Sequence, residues 1–352
     1  MSLVIRPLDP AAAPAWDRFV LAHPDGTFFH RAAWQGVIAA AFGHRTHYVF
    51  AERDGAITGV LPLGQVKSFL FGNTLIAAPF GVYGGPLAAD AETAAALIAH
   101  AAALRPGTRA GAVELRYRDP PAPQDAAALD AAGWLGRPGL YVTFRKPIVA
   151  DDEANLKAIP RKQRAMVRKG IQRGLASVVD RDTDRLHRIY AESVRNLGTP
   201  VFPRRYFRLL AAAFGEDCDV LTVLDDGAPI ASVLNFYFRD EVLPYYGGGT
   251  AEARQRAGND FMYWEVMRRA AARGCRVFDF GRSKEGTGSY AFKRNWGFEP
   301  TPLHYRFLIA PGAAVPELNP LNPKFRLFIA AWKRLPLPVA NMLGPQIVRG
   351  LG

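Results

Sequence analysis

The sequence contains little cysteine and no long hydrophobic run. Only two of its 352 residues, Cys218 and Cys275, are cysteines, which excludes a disulfide framework and a cysteine-rich zinc site and indicates a reducing compartment. Apolar stretches end before the about 20 residues that a membrane-spanning helix requires. Residues 1–10 include Arg6 and Asp9 and no apolar signal-peptide core. We therefore expect a cytoplasmic chain that does not cross a membrane.

Several catalytic motifs are absent from the sequence as well. It contains no Gly-x-Ser-x-Gly elbow, no Walker loop and no His-Glu-x-x-His pair. Its seven histidines are scattered, and we interpret His30, His44, His47 and His304 as hydrogen-bonded structural histidines rather than bases. The sequence thus predicts no metal site and no tightly bound cofactor, and it identifies no general base.

The sequence is rich in basic residues and of ordinary hydrophobicity. Its formal net charge is +12, with 49% hydrophobic and 22% charged residues, which is typical of a folded protein long enough for two domains. Arginine pairs with phosphate and carboxylate through two parallel hydrogen bonds. An anionic partner and a generally basic, solvated surface are both compatible with this charge.

The second half of the sequence has a regular order of elements. Alternating apolar residues around an Asp226-Gly227 turn predict three antiparallel strands at 219–225, 229–238 and 242–247. After these we expect a loop at 250–258, a helix at 259–273 capped by Asn259, a strand at 276–280, a helix at 289–296 and a strand at 303–309. This half therefore combines a mostly antiparallel sheet with helices.

The first half repeats this order. Strands at 46–52 and 56–66 flank an Asp54-Gly55 turn, and a helix at 91–104 leads to a strand at 112–116. Tyr83-Gly84-Gly85 corresponds to Tyr246-Gly247-Gly248 in the second half. Two helices open each half, at 16–21 and 31–42 and at 184–197 and 203–214. We predict two α/β (α+β) domains at 1–150 and 151–312, followed by a basic amphipathic tail at 313–352.

This order of helices and strands resembles the GNAT acyltransferase unit. In that fold the acyl donor binds at the start of the helix after the third strand, where free amide N–H groups accept a pyrophosphate. The corresponding loop here is Gln255-Arg256-Ala257-Gly258-Asn259-Asp260. It retains the first glycine of the coenzyme A signature but has Asp260 where a small residue is expected. Either the loop binds a donor or it is an ordinary helix start.

A longer set of segments resembles the FemAB family of tandem-GNAT transferases, which add amino acids from aminoacyl-tRNA to peptidoglycan precursors. The segments are 243–250 (LPYYGGGT), 261–265 (FMYWE), 277–281 (VFDFG) and 290–298 (YAFKRNWGF). The segments 200–203 (PVFP) and 280–283 (FGRS) and the basic tail are similar to FemAB-related proteins of the exosortase/PEP-CTERM exopolysaccharide system. The resemblance covers the second half well and the first half only in architecture.

The resemblance implies an active site in the second half. Lys293 matches the family's active-site lysine, and its ammonium could stabilise an oxyanion or a donor phosphate; a surface lysine lying over Trp296 is the structural alternative. Asp279 lies in an apolar strand and requires a partner, such as Arg282 or Lys284, so it is either catalytic or part of an ion pair. The catalytic candidates are Lys293, Tyr246 and Asp279.

Other residues are predicted to bind the substrates. Tyr245 and Tyr246 end a strand at a glycine run, where they either line a cleft or pack in the core. Residues 160–173 contain six cations and no acid, and this row either binds phosphate or is a solvated helix face. The predicted substrate-binding residues are Arg164, Arg168, Tyr245, Arg282, Tyr290 and Phe292.

The resemblance implies an N-acyltransferase that transfers an aminoacyl or acyl group to an amine of a cell-envelope or exopolysaccharide precursor. Its donor substrate would be aminoacyl-tRNA or acyl-CoA, and its anionic partners would be tRNA, CoA or a lipid or nucleotide pyrophosphate. Two alternatives are an acyl-CoA-dependent GNAT enzyme, which Asp260 disfavours, and a non-catalytic scaffold of envelope biosynthesis. The basic tail either packs on the protein body or contacts the inner membrane peripherally.

Overall fold

The computed structural model describes residues 2–69, 71–313 and 323–352, except for the side chains of residues 124 and 323–326. Its contacts divide the chain into two compact units. The first comprises Met1–Tyr141, Pro302–Leu318 and Arg349–Gly352, and the second comprises Val142–Thr301 and Asn319–Val348. The predicted domain bounds, 1–150 and 151–312 with a tail at 313–352, stay a prediction.

The first part of the chain contains two helices, a meander of strands, and a helix before a further strand. Its elements are β1 (Val4–Pro7), α1 (Ala13–Ala22), α2 (Ala33–Phe42), β2 (Arg45–Arg53), β3 (Ala56–Ser68), β4 (Gly72–Ala77), β5 (Leu87–Ala88), α3 (Ala91–Thr108), β6 (Ala112–Tyr117), α4 (Pro123–Ala131) and β7 (Leu135–Pro147).

The second part repeats this order after two additional helices. Its elements are α5 (Asp152–Ala158), α6 (Arg161–Gln172), β8 (Ala176–Asp180), α7 (Thr183–Leu197), α8 (Arg204–Phe214), β9 (Cys218–Asp225), β10 (Ala228–Phe238), β11 (Glu241–Gly249), α9 (Ala251–Gln255), α10 (Gly258–Ala272), β12 (Val277–Ser283), α11 (Gly288–Asn295), β13 (Pro300–Ile309), α12 (Pro323–Trp332) and α13 (Leu337–Val348). The predicted repeat is therefore present.

The Asp-Gly hairpins form as predicted. Both residues of each turn have positive φ angles, 54° and 77° at Asp54 and Gly55, and 50° and 81° at Asp226 and Gly227. Such turns match the right-handed twist of the two strands that they connect. Each turn therefore sets the register of its meander, β2 with β3 and β9 with β10.

The sheet of the first unit has the strand order β1-β2-β3-β4-β6-β13, with β5 paired to β3. The strand predicted at 303–309 is confirmed as β13, but it pairs antiparallel with β6, with Phe307 opposite Glu114. The last strand in sequence thus completes the sheet of the first unit. Leu63, Leu97, Val113 and Trp134 belong to the buried core of this unit.

The sheet of the second unit has the order β7-β12-β11-β10-β9-β8. β7 pairs antiparallel with β12, while β11 pairs parallel with β12. The core of this unit lies between the sheet and α10 and contains Val233, Met262, Phe278 and Trp296. Burial of these apolar side chains is the main force that holds the helix on the sheet.

One correspondence between the halves is partial, and two predictions of local structure are wrong. Tyr83-Gly84-Gly85 lies outside the strands, unlike Tyr246-Gly247-Gly248 in β11: β4 ends at Ala77, and Ala78 and Phe80 have positive φ angles. The predicted loop 250–258 contains the short helix α9. Asn259 does not cap α10: the helix begins at Gly258 after Ala257, which has a φ of 62°.

Candidate active site

In the second unit, the parallel pairing between strands β11 and β12 ends soon after the two strands begin. In the described residues their parallel pairing joins Glu241 to Val277 and Val242 to Phe278 and extends no further. Each strand then becomes irregular. The β10–β11 register shifts opposite Tyr245, and the β12–β7 register shifts between Asp279 and Arg282. Beyond these points, the described backbone N–H and C=O groups that face the gap between β11 and β12 have no partner on the opposite strand. They are available to other groups.

Lys293 on α11 donates hydrogen bonds to the irregular part of β12. Its Nζ lies 3.0 Å from the carbonyl oxygen of Gly281 and 2.9 Å from that of Arg282. The ammonium is also 5.5 Å from the centre of the Phe144 ring, within the range of a cation–π interaction. The side chain therefore extends to β12 and Phe144. It does not lie over Trp296 at the surface, which was the alternative expectation for Lys293.

The pKa of Lys293 lies near neutral pH. Burial lowers its pKa to about 7, although the nearby Asp279 carboxylate opposes this shift. An ammonium has three N–H donors, and the two carbonyl oxygens use two of them. The protonated lysine thus retains one donor for a ligand, whereas the neutral amine would use both of its N–H groups and expose a lone pair.

Asp279 is buried beside the same bulge. One of its carboxylate oxygens accepts a hydrogen bond from the amide of Gly281 at 2.7 Å. The other lies 3.4 Å from Nε of Arg145, a β7 residue that also pairs with Glu241. Arg145 was not among the partners predicted from the sequence, because it precedes Asp279 by more than a hundred residues and only the β7–β12 pairing brings them together.

Aromatic side chains enclose the region between α10, α11 and β12. The Tyr263 ring lies 5.0 Å from Phe280 and 5.5 Å from Phe292, and Tyr290 makes an edge contact with Phe144 at 5.4 Å. Burial raises the pKa of Tyr263 to about 12, so its hydroxyl stays protonated. Of the predicted substrate-binding residues, Tyr290, Phe292 and Arg282 therefore lie around Lys293.

Tyr245 and Tyr246 are not in this group. A Cβ on Gly247 would lie 3.1 Å from the hydroxyl of Tyr263 on α10, whereas one on Gly248 would lie 2.5 Å from Cβ of Ser193 on α7. Since neighbouring strand residues point to opposite faces, Tyr246 faces α7 and α8 as Gly248 does. Its hydroxyl is 2.9 Å from that of Tyr206.

This second aromatic group is tightly packed. Tyr246 is 5% exposed and makes edge contacts with Tyr190, Phe202 and Phe207. Tyr245 lies 4.8 Å from Tyr246 and 5.5 Å from Phe236. Burial raises the pKa of Tyr246 well above its ordinary value. A catalytic role of this tyrosine stays a prediction.

The start of α10 is organised by Asp260. Its carboxylate accepts hydrogen bonds from Gln163 Nε2 on α6 at 2.6 Å and from Trp296 Nε1 after α11 at 3.1 Å. Burial raises its pKa. The carboxylate is thus directed toward α6 and Trp296. The main reason to expect that Asp260 repels a donor pyrophosphate is therefore removed.

The cationic row of α6 is largely exposed. Val167 and Gly170 pack inward, and a Cβ on Gly170 would lie 2.8 Å from Cβ of Phe261 on α10. Arg168 is exposed, and the partly buried Arg164 donates to the carbonyl of Lys157 at 3.3 Å. Within the described residues, α6 has no ion pair with a carboxylate. A polyanion could therefore bind its arginines without displacing an acid.

Among the described residues of the first unit, the equivalent opening is absent. β4 and β6 also pair parallel, from Thr74–Ala112 to Ile76–Glu114. Beyond them, the amides of Gly84 and Gly85 bond to the carbonyl of Arg116 at 2.8 and 3.1 Å. The glycines that resemble Tyr246-Gly247-Gly248 thus close the gap in this copy.

A polar cavity of about 430 Å³ lies elsewhere in the first unit. Tyr117 contributes a buried hydroxyl without a hydrogen-bond partner, and burial raises the pKa of Asp125. The sequence did not indicate this cavity, because its residues come from three separate segments. Its polar lining includes His23, Asp25, His30, Tyr117, Arg118 and Asp125.

Comparison with known proteins identifies the fold. Residues 157–294 match the acetyltransferase (GNAT) domain family. The structure is similar to the crystal structure of FemX, with a TM-score of 0.69 and 16% sequence identity over 93% of this chain and 100% of that chain. The chain has a tandem GNAT fold. The predicted fold class and the likeness to a FemAB-type protein are thereby confirmed.

Two other structures have the same fold. The structure of L-PGS from Bacillus licheniformis has a TM-score of 0.59 and 11% identity over 99% of this chain and 98% of that chain. A tandem GNAT protein from the clavulanic acid biosynthesis pathway has a TM-score of 0.54 and 15% identity over 90% of this chain and 100% of that chain. No curated protein matches the chain in sequence. These likenesses establish the fold and leave the substrates open.

The described residues contain no group of histidine, cysteine, aspartate or glutamate side chains that could hold a metal ion. The arrangement around Lys293 offers a cation with a free donor, a buried carboxylate and an aromatic wall. Such a group can stabilise negative charge that develops on a carbonyl oxygen.

Proposed function

We propose that this chain is an N-acyltransferase of the FemAB type, which transfers an aminoacyl or acyl group to an amine of a cell-envelope or exopolysaccharide precursor. The observation that carries the proposal is Lys293, whose Nζ is held by the carbonyls of Gly281 and Arg282 where β11 and β12 have parted. An ammonium at this position, with one donor remaining, suits the oxyanion of an acyl-transfer intermediate.

In the proposed reaction, the acceptor amine attacks the carbonyl carbon of the donor. A C–N bond forms, and the C–O bond of an aminoacyl ester or the C–S bond of a thioester breaks. The amine loses one proton and the leaving oxygen or sulfur gains one. Lys293 would stabilise the intermediate oxyanion, while Asp279 would keep the bulge in place by accepting from the Gly281 amide.

The donor would bind through cations and the start of α10. We assign Arg164 and Arg168 to donor phosphates, because α6 carries no carboxylate partner in the described residues and its arginines suit phosphate. Tyr290, Phe292 and Arg282 would contact the acyl group, since they lie around Lys293.

An acyl-CoA donor is the second candidate. The carboxylate of Asp260 accepts hydrogen bonds from Gln163 and Trp296, and burial raises its pKa, which weakens the repulsion that it would exert on a donor pyrophosphate at this helix start. This arrangement favours an acyl-CoA donor more than the sequence alone does. Aminoacyl-tRNA would use the exposed cations of α6 more fully, because it presents many phosphates.

The experiment that tests the proposal compares donors. The purified chain is incubated with an amine-bearing peptidoglycan precursor and either charged tRNA or acetyl-CoA, and the product is identified by mass spectrometry. Product from charged tRNA supports the FemAB-type proposal, and product from acetyl-CoA alone establishes the second candidate. A chain that is inactive with both donors, and whose biological effect survives Lys293→Ala, would be a scaffold.

A further inference from the structure

Exposed apolar side chains collect at one edge of the second unit. We call them the apolar edge: Leu197 on α7, Leu327 and Phe328 on α12, and Met342 and Leu343 on α13. Leu327 is 83% exposed, Met342 67% and Leu197 59%, and Phe328 and Leu343 are each 40% exposed. Isolated exposed leucines are common on protein surfaces, but a contiguous group marks an interaction site.

Contacts at the end of α7 bring these residues together. A Cβ on Gly198 would lie 2.5 Å from Cγ2 of Ile329 on α12, and Arg195 Nη1 lies 3.4 Å from the carbonyl of Lys333. A Cβ on Gly344 of α13 would lie 2.9 Å from the amide of Val201, which follows α7. Both C-terminal helices thus pack on the same end of α7.

The helix α12 is both docked and exposed. Trp332 is only 3% exposed, and Ile329 packs against Gly198, so one side of the helix is buried in the unit. Leu327 and Phe328 remain outside. The two alternatives expected for the tail, a docked helix and a surface-binding helix, are therefore compatible in one structure.

The charge of this region is of one sign. From Leu318 onward the sequence contains Lys324, Arg326, Lys333, Arg334 and Arg349 and neither aspartate nor glutamate. Lys333 and Arg334 are exposed between α12 and α13. Cations beside exposed apolar side chains are typical of segments that bind anionic lipid surfaces. Two copies of such a surface would repel one another, which disfavours self-association as its purpose.

We propose that the apolar edge, together with Lys333 and Arg334, is a docking surface for an anionic lipid bilayer. No helix in the described residues is long and apolar enough to cross a membrane, so this contact lies in the interfacial plane. The exposed leucines, Phe328 and Met342 enter the headgroup region, and the two cations pair with lipid phosphates. This proposal does not depend on the acyltransferase function.

Vesicle flotation tests the proposal. The full chain is mixed with vesicles of phosphatidylcholine containing phosphatidylglycerol, or of phosphatidylcholine alone. We expect binding to the anionic vesicles that weakens with salt. Lys333→Gln with Arg334→Gln should reduce the partition coefficient about 25-fold at low salt, because each cation near an anionic surface contributes about a factor of five.

A matched pair of variants tests the apolar contribution. Leu327→Glu with Met342→Glu should weaken binding by about tenfold or more, because each apolar side chain loses its transfer into the bilayer. The control, Val149→Glu with Val179→Glu, alters exposed apolar residues of the same unit (51% and 40% exposed) that are not part of the apolar edge, and should bind as the wild type does. Circular dichroism verifies that all variants fold.

Three results would overturn the proposal. They are equal binding to both kinds of vesicle, equal losses in the test and control variants, and a stable dimer in solution that Leu327→Glu with Met342→Glu disrupts. The last result would assign the apolar edge to a second copy of the chain.

Discussion

The carboxylate of Asp260 accepts a hydrogen bond from the indole nitrogen of Trp296 at 3.1 Å. The same oxygen accepts a second hydrogen bond from the side-chain amide of Gln163. One buried acid thus connects the start of α10 to α6, which carries the cationic row, and to the segment that ends α11, which carries Lys293. The positions of the two proposed binding elements depend on this residue.

Asp260→Ala should therefore lower the free energy of unfolding by about 2–3 kcal/mol, because it leaves two donors without an acceptor. Asp260→Asn retains one acceptor oxygen and should cost less. Urea denaturation measures both changes, and Glu252→Ala, an exposed acid on α9, serves as the control. Indistinguishable midpoints for Asp260→Ala and the control would refute the structural role.

Two glycine-to-alanine substitutions should have opposite effects on stability, because only Gly170 lies in the close contact between α6 and α10. Gly170→Ala should destabilise the chain by about 1–3 kcal/mol, because the new Cβ would lie 2.8 Å from Phe261 Cβ. Gly36→Ala, in the interior of α2 with no atom within 4 Å of its Cβ, should stabilise it by up to about 1 kcal/mol. Thermal unfolding distinguishes them, and stabilisation by both substitutions would contradict the close packing.

The cationic row should determine how donor binding depends on salt. With charged tRNA, Arg168→Ala and Arg164→Ala should each weaken binding and reduce the slope of log K against log salt by about one. Filter binding at several salt concentrations gives these slopes. Arg208→Ala is the control, since that exposed arginine pairs with Asp184. Slopes unchanged in all three variants would remove Arg164 and Arg168 from the donor site.

The substitution Tyr246→Phe distinguishes a packing role of this tyrosine from a catalytic one. We expect Tyr246→Phe to lower the free energy of unfolding by about 1 kcal/mol through loss of its hydrogen bond with Tyr206. Transfer activity should change little at a temperature where both proteins are folded. If activity falls more than about a hundredfold while stability is retained, the hydroxyl has the catalytic role that its motif predicts.

Much of the architecture could be predicted from the sequence. Asp54-Gly55 and Asp226-Gly227 identified the two hairpins, because local turn chemistry determines them. Periodicity identified α7, α8 and α10, whose apolar side chains recur at helical spacing. The strands β4 and β7 were missed; β4 contains Gly72 and Asn73, and β7 includes Pro138 and Gly139, which are poor strand formers.

The site was less predictable, because long-range pairing creates it. Asp279 lies in one segment of the motif and Phe292 and Lys293 lie in another, and the structure brings Asp279 close to Lys293. Arg145 reaches Asp279 only through the pairing of β7 with β12. The side of the sheet that Tyr246 faces depends on the irregular register at Tyr245, which a strand pattern in the sequence does not reveal.

The pH dependence of transfer tests the charge state of Lys293. Burial holds its pKa at about 7, so the proposed ammonium is lost as the pH rises through that value. The kcat/KM of the wild type should therefore fall above about pH 7. Lys293→Arg stays charged and, if it folds, should lose this alkaline decline.

The decisive measurement is kcat/KM for transfer by Lys293→Ala beside Lys67→Ala, which removes an exposed lysine of β3. We predict a loss of about 10²–10³-fold for Lys293→Ala and no loss for Lys67→Ala, with both proteins folded. Full transfer activity in Lys293→Ala would contradict the account.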